Sequence, residues 1–173
     1  LIKALEERPN EAYFYMQLGL ELRRMDRLAE SFDAYAKALN LAETQSNQII
    51  TDEVRETLLT QYSAYLLADQ EYEKVLEVLT SDLALRQPLT PGQLLVRGRA
   101  LIHLRQPQYA LKDVQEAYFR REEATLFPSA IDPMSAAAEA LLAEVFYLNH
   151  HVEEAIKFVH DYQPQRLSNS FSI

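Results

Sequence analysis

Cysteine is absent from the 173-residue chain. Its absence removes disulfides and thiolate metal sites and fits a reducing compartment, so a cytoplasmic location is expected. Glycine is nearly as scarce. With only Gly19, Gly92 and Gly98 there is no glycine-rich loop to cradle phosphates, and a nucleotide-binding fold is excluded in practice. No apolar run approaches the roughly 18 residues of a membrane span, and no basic-then-apolar leader opens the chain. Basic residues are outnumbered, 17 Lys and Arg against 26 Asp and Glu, for a net charge of -9. Carboxylates such as Glu6, Glu7, Glu71, Glu73, Glu153 and Glu154 read as scattered over solvent faces, where their field repels a phosphate backbone. Nucleic acid is therefore not an expected partner. The local gatherings Arg23, Arg24 and Arg27, and Arg120 and Arg121, read as solvated helix ends that complement the dipole.

Apolar residues make up 48% of the chain, enough for a sizeable core, and they recur at the helical period. Between Ala12 and Leu41, a first helix carries Tyr15, Leu18, Gly19 and Leu22, and a second carries Leu28, Ser31, Phe32, Tyr35, Ala38 and Leu39. Each has one apolar stripe, with small residues where the two helices must touch. Gly98 and Ala117 repeat the roles of Gly19 and Ala38. The small position of the second helix is taken in turn by Ser31, Val75, Ala110 and Ala155, at intervals of 44, 35 and 45 residues. Measured against a helix-pair repeat of about 34 residues, two intervals carry a surplus of about ten. It falls at Glu43 to Ile49 and at Glu122 to Pro133, segments rich in Ser, Asn, Gln, Thr and Pro, so the insertions lie in connections and leave the helices whole.

The pattern predicts helices near 1–8, 11–24, 27–43, 50–69, 72–86, 92–105, 107–123, 134–149 and 152–162, with no strand signal. All seven prolines, Pro9, Pro88, Pro91, Pro107, Pro128, Pro133 and Pro164, fall between these helices or in a first turn, where a missing N–H costs nothing. The second copy departs most: Tyr62 and Ser63 replace a Leu-Gly pair, Val75 takes the small position and Asp82 the later alanine. In the fourth, Leu142, Ala143, Phe146 and Ala155 fit, and Tyr162 stands where a small residue is expected. The reading is one helical repeat domain over 1–163 and a C-terminal tail over 164–173. Because the chain opens at Leu1, mid-repeat and without Met, it is expected to be a fragment of a longer protein.

The spacing of Tyr15, Leu18, Gly19, Leu22, Ser31, Tyr35 and Ala38 resembles the tetratricopeptide repeat (TPR), with Ala4, Leu5, Pro9 and Asn10 as the end of a preceding repeat. That resemblance implies an all-α, right-handed α-α superhelix of about nine helices, four helix pairs after a leading half repeat, with the first helices lining a concave wall. The order of half repeat, strong repeat, insertion, two further pairs and the stretch Phe127 to Met134 before a fourth pair is similar to the C-terminal extension of some bacterial family 2 glycosyltransferases. In that setting the repeats would be an accessory or dimerising domain, with catalysis in an upstream domain.

No nucleophile, base and orienting group can be assembled from the sequence, so the chain is not expected to be an enzyme, and no cofactor is implied. His150, His151 and His160 with Glu153 and Glu154 are the one cluster that suggests metal ligation, and they read as solvated turn residues rather than a metal site. Glu122 and Glu123 diverge on a helix end. Tyr15, Phe32, Tyr35, Tyr62, Tyr72, Phe146 and Phe158 fall at stripe positions and read as inter-helix packing.

Carried over from the TPR pattern, the inward positions are Tyr13, Met16, Gln17, Leu20, Arg23 and Arg24 in the first copy. The second gives Thr60, Gln61, Ala64 and Leu67, and the third Leu95, Val96, Arg99, Ile102 and His103. The fourth gives Ala140, Leu141, Glu144 and Tyr147. The Lys and Asn with which chaperone-binding relatives grip a peptide carboxylate are replaced by Met16, Leu20, Thr60 and Ala64. An apolar concavity marks an interface, and an amphipathic segment supplies matching anchors. The alternative is that the wall is partly filled by the chain itself, through Leu126 and Phe127 in the long connection or Phe171 and Ile173 in the tail. The expected function is a non-catalytic scaffold whose partner is a protein or peptide, a second copy of itself, or a catalytic domain.

Overall fold

The structure is a computed structural model that describes residues 2–44, 50–157 and 159. Phe158, His160, Tyr162, Phe171, Ile173, the tail 164–173 and residues 45–49 of the first surplus segment lie outside the described residues. Among the described residues there are nine helices with defined bounds, a further helical stretch over 152–157, and no strand. After α1 (Ile2–Glu7), α2 (Ala12–Arg24) packs on α3 (Leu28–Thr44), and α4 (Asp52–Ala68) on α5 (Tyr72–Leu79). A short α6 (Asp82–Leu85) precedes the pair α7 (Pro91–His103) and α8 (Pro107–Phe119), and α9 (Ala136–Leu148) leads into the last helical stretch. The pairs stack in chain order, α7 lying against both α4 and α9. The chain is an all-α solenoid.

The small residues act as the periodicity requires. A Cβ on Gly19 would stand 2.7 Å from the Tyr35 ring, and one on Gly98 would stand 2.6 Å from Val114 Cγ2, so both positions bring two helices closer than any side chain permits. Ser31 is more than small, because its hydroxyl donates to the Gly19 carbonyl at 2.7 Å and sews α3 to α2 inside the core. Ala38, Ala110 and Ala117 are fully buried. Of the aromatic stripe, Tyr35 and Tyr62 are buried, while Tyr15, Phe32, Tyr72 and Phe146 are half-buried against the core.

The four hairpin turns share one backbone. Asp26, Gln70, Arg105 and His150 all have φ near +60°, and the residue after each donates to a carbonyl five positions back, as Arg27 does to Leu22 at 3.0 Å and Gln106 to Leu101 at 2.8 Å. This is the Schellman closure, in which a left-handed residue satisfies the last carbonyls of a helix. Glycine is the residue that adopts this φ without steric cost. Gln70→Gly is accordingly expected to raise stability by about 0.5–1 kcal/mol, read as a higher urea midpoint; an unchanged or lower midpoint overturns the assignment.

The helix predicted over 72–86 is two helices. The Thr80 hydroxyl folds back to the Leu76 carbonyl at 2.8 Å, α5 stops, and Ser81 caps α6 by accepting from Ala84 N–H at 3.3 Å. The released segment turns onto the long end of α3: Glu43 accepts from the Leu83 N–H at 3.0 Å and Arg86 donates to the Ala42 carbonyl at 3.1 Å. Asp82, out of place as a repeat alanine, is the first residue of α6, where a carboxylate suits the helix dipole. Two predicted helices are also shorter than expected: α8 ends at Phe119 and α9 starts at Ala136 behind its Ser135 cap.

α7 opens with a complete capping box. Thr90 accepts from Gln93 N–H at 3.3 Å, Gln93 accepts from Thr90 N–H at 3.1 Å, and Pro91 takes the first helical position. The Gln93 amide then donates to the Thr60 hydroxyl at 2.9 Å, which fastens α7 to α4 and sets the angle between the second and third pairs.

Candidate functional site

Because the chain reverses twice between them, α2 and α4 run parallel, and the ion pair of Arg23 with Asp69 joins their C-terminal ends. The Arg23 guanidinium also lies 4.8 Å from the centre of the Tyr65 ring. The hydrogen bond from Arg23 holds the Asp69 carboxyl below the usual carboxylate range and raises the guanidinium in turn. Away from this clamp the two helices enclose a cleft of about 580 Å³. One wall is the α2 stripe Tyr13, Met16, Gln17, Leu20 and Arg24; the other is Glu53, Val54, Thr57, Gln61 and Tyr65 of α4.

The lining mixes apolar and polar groups in about equal measure, and its polar groups suit a main chain. Gln61 accepts from the Tyr35 hydroxyl at 2.9 Å, a bond that holds its amide in place. Gln17 and Thr57 are half-buried beside it. Glu53 stands at the end where α4 begins and Arg24 at the end where α2 finishes, so the cleft carries opposite charges at its two ends. Arg24 is paired with Glu21 across one helical turn at 2.6 Å, with both side chains about half exposed, an attachment that solvent screens and an incoming charge can exchange.

The remaining wall is the connection between α8 and α9. Leu126 and Phe127 line the cleft, and their consecutive N–H groups both donate to one oxygen of Glu56, at 2.6 and 3.0 Å. A carboxylate oxygen seated on adjacent main-chain donors is the arrangement of an anion nest. Further along, the connection presses on the first turn of α7: a Cβ on Gly92 would fall 2.1 Å from Ser129 Cβ. Gly92 is needed here for close approach of another segment. Ile131 then packs against the core.

Of the inward positions taken from the repeat pattern, Tyr13, Met16, Gln17, Leu20, Arg24 and Gln61 meet at this cleft. The others do not. Arg23 is turned into the clamp with Asp69, and Thr60 is buried against Gln93. Leu67 and Ile102 pack on the core, and Leu95, Val96 and Leu141 are part of it. Arg99 pairs with Glu144 at 2.7 Å, and His103 stacks on Tyr72 with ring centres 4.3 Å apart. Ala64 is half-buried, Ala140 is exposed, and Tyr147 stands 65% exposed on α9. The wall of the third copy is thus tied off by the protein's own contacts, that of the fourth only in part, and Met16, at 2% exposure, is floor and core at once.

Pattern reasoning omitted Glu53, Val54, Thr57 and Tyr65. Thr57 was legible, since the rule that places Tyr13 inward in the first copy places Thr57 inward in the second. Glu53 and Val54 precede the repeat and had no such signal. Among the described residues no three His, Asp or Glu side chains converge as metal ligands, and His151 instead lies 3.5 Å from Glu154. No described helix is long and apolar enough to cross a membrane.

No protein-family model and no curated protein matches the chain. Among solved structures it is similar to the crystal structure of YrrB, described as a TPR protein with an unusual peptide-binding site, at 19% identity and a TM-score of 0.64 over 91% of this chain and 70% of that one. The stacked helix pairs are therefore a TPR-like fold.

Proposed function

We propose that this TPR-like solenoid is a non-catalytic scaffold that holds an apolar or amphipathic protein segment in the cleft between α2 and α4. The observation that carries this reading is the mixture of apolar side chains, Met16, Leu20 and Val54, with main-chain-binding groups, the Gln61 and Gln17 amides and the Thr57 hydroxyl, within a cleft of about 580 Å³. Side-chain amides set among apolar groups bind a peptide backbone, and the apolar groups take its side chains. The opposite charges at the two ends orient the occupant. The peptide-binding site named for YrrB agrees with this reading at the level of ligand class.

Peptides selected from a displayed random library on the immobilised protein test it. Leu20→Glu combined with Thr57→Arg places charge on both walls without touching a fully buried side chain. The double variant is expected to weaken the selected peptides at least tenfold or so while leaving the far-ultraviolet circular dichroism unchanged. Undiminished affinity would remove the cleft as the binding surface. Met16 is unsuitable for this test, because a charge there damages the fold itself.

A further inference from the structure

Most loops of a helical solenoid pass outside its walls, but here the connection between α8 and α9 crosses to α4 and lines the cleft. We infer that Leu126 and Phe127, which wall the cleft, are a resident ligand, a displaceable copy of what the protein binds. The true ligand is then a short non-helical segment with two adjacent bulky apolar side chains, whose consecutive N–H groups take Glu56 from the connection. This inference rests on the binding reading above and gives it a ligand class and a competitor.

The contacts separate what holds the connection from what it gains by staying. At Leu126 and Phe127 its hold is polar and local, two N–H groups on Glu56 Oε1, while Ile131 further along packs against the core. Its apolar gain is incomplete: Phe127 is mostly buried, but Leu126 remains 63% exposed. A segment fastened to the core for stability alone would bury such side chains, because stabilisation scales with the apolar area removed from water. A ligand that offers the same pair of donors and buries its side chains more deeply therefore has the advantage. The second fastening, Ser129 on Gly92, lies outside the cleft lining, so the connection can be loosened without altering the surface that a ligand would touch.

Gly92→Ala does this. The new methyl overlaps Ser129 Cβ, while alanine suits the first turn of α7 better than glycine. Adding Ser129→Gly removes the clash and serves as the rescue. The probe is a fluorescein-labelled hexapeptide of residues 124–129, read by fluorescence anisotropy, beside amide hydrogen exchange at Leu126 and Phe127. In the unaltered protein those two amides are expected to exchange slowly, and Gly92→Ala should speed them. The same change should tighten hexapeptide binding by about tenfold, because a competitor that fills the site most of the time lowers apparent affinity by the open fraction. Gly92→Ala with Ser129→Gly should return both readouts to the starting values. A hexapeptide with serine in place of both apolar residues should not bind, nor should any peptide bind to Glu56→Ala.

Fast exchange at Leu126 and Phe127 in the unaltered protein overturns the inference, because the seat is then empty in solution. Accelerated exchange with no gain in hexapeptide affinity also overturns it. In that case library-selected peptides that still depend on Leu20 and Thr57 leave the scaffold reading standing, and their absence removes both.

Discussion

Tyr35→Ala is expected to destabilise the protein by about 3–5 kcal/mol, the range for emptying a large fully buried site. Tyr35 has no exposed surface. Its ring fills the space left by Gly19, stacks on Tyr62 with centres 5.4 Å apart and planes 12° from parallel, and meets Tyr65 at 5.7 Å. Alanine removes all of these contacts at the junction of the first two repeats and leaves a cavity that rigid helices close only in part. In a solenoid each pair contacts only its neighbours, so the loss should appear as early melting of α2 and α3, with a second transition for the α7 to α9 region. Guanidinium denaturation followed by circular dichroism measures it; a loss under about 1 kcal/mol would mean that the ring is not a packing element.

Tyr35→Phe separates packing from polarity. It keeps the ring and loses the bond to Gln61, at a cost of about 1 kcal/mol. It also carries a pH signature. Burial holds the Tyr35 and Tyr62 hydroxyls above the ordinary phenol range, so the folded state keeps them neutral where an unfolded chain ionises. Their contribution is whole below about pH 10 and is lost as pH rises beyond it. Tyr35→Phe should make the alkaline decline shallower.

Arg55→Ala is expected to cost about 2–4 kcal/mol, from the loss of three hydrogen bonds to a charged donor in a buried site. Arg55 is 5% exposed, and its guanidinium reaches the carbonyls of Leu83, Ala84 and Gln87 at 3.0, 2.8 and 2.7 Å. Leu83 and Ala84 belong to α6, whose last carbonyls have no partner within so short a helix, and Gln87 follows two residues after its end. Burial lowers the affinity of Arg55 for its proton, and the carboxylates of Asp52 and Glu56 counter that effect. Arg55→Lys should recover little, since one ammonium cannot reproduce the planar fork that serves three carbonyls. Detachment of α6 in both variants would show as rapid amide exchange at Leu83 and Ala84. If Arg55→Lys matches the unaltered protein, the fork is not the reason for arginine at this position.

Local signals were reliable where one helix pair sufficed to produce them. Gly19, Ser31, Tyr35 and Ala38 were legible as a contact stripe because helical period and side-chain size are properties of neighbouring residues. The four left-handed turns were not legible, since Asp26, Gln70, Arg105 and His150 carry no glycine; helix packing imposes their backbone. The helix expected over 72–86 breaks at Ser81. The pattern ran through it because the destination of α6, the far end of α3, lies some 40 residues back in the chain.

From sequence alone followed the helix pairs, their repeat and the places where they nest, because those depend on spacing within about 34 residues. The extent of the cleft was decided by tertiary structure. Arg23 could be counted as an inward cation until Asp69 was found beside it, and Arg99 until Glu144 was. The same holds for the occupant: Glu56 and Leu126 are 70 residues apart, and no periodicity within a repeat links them. Whether a connection runs outside a solenoid or across its inner wall depends on which carboxylate and which gap the stacked pairs present to it, and those exist only once the pairs have stacked.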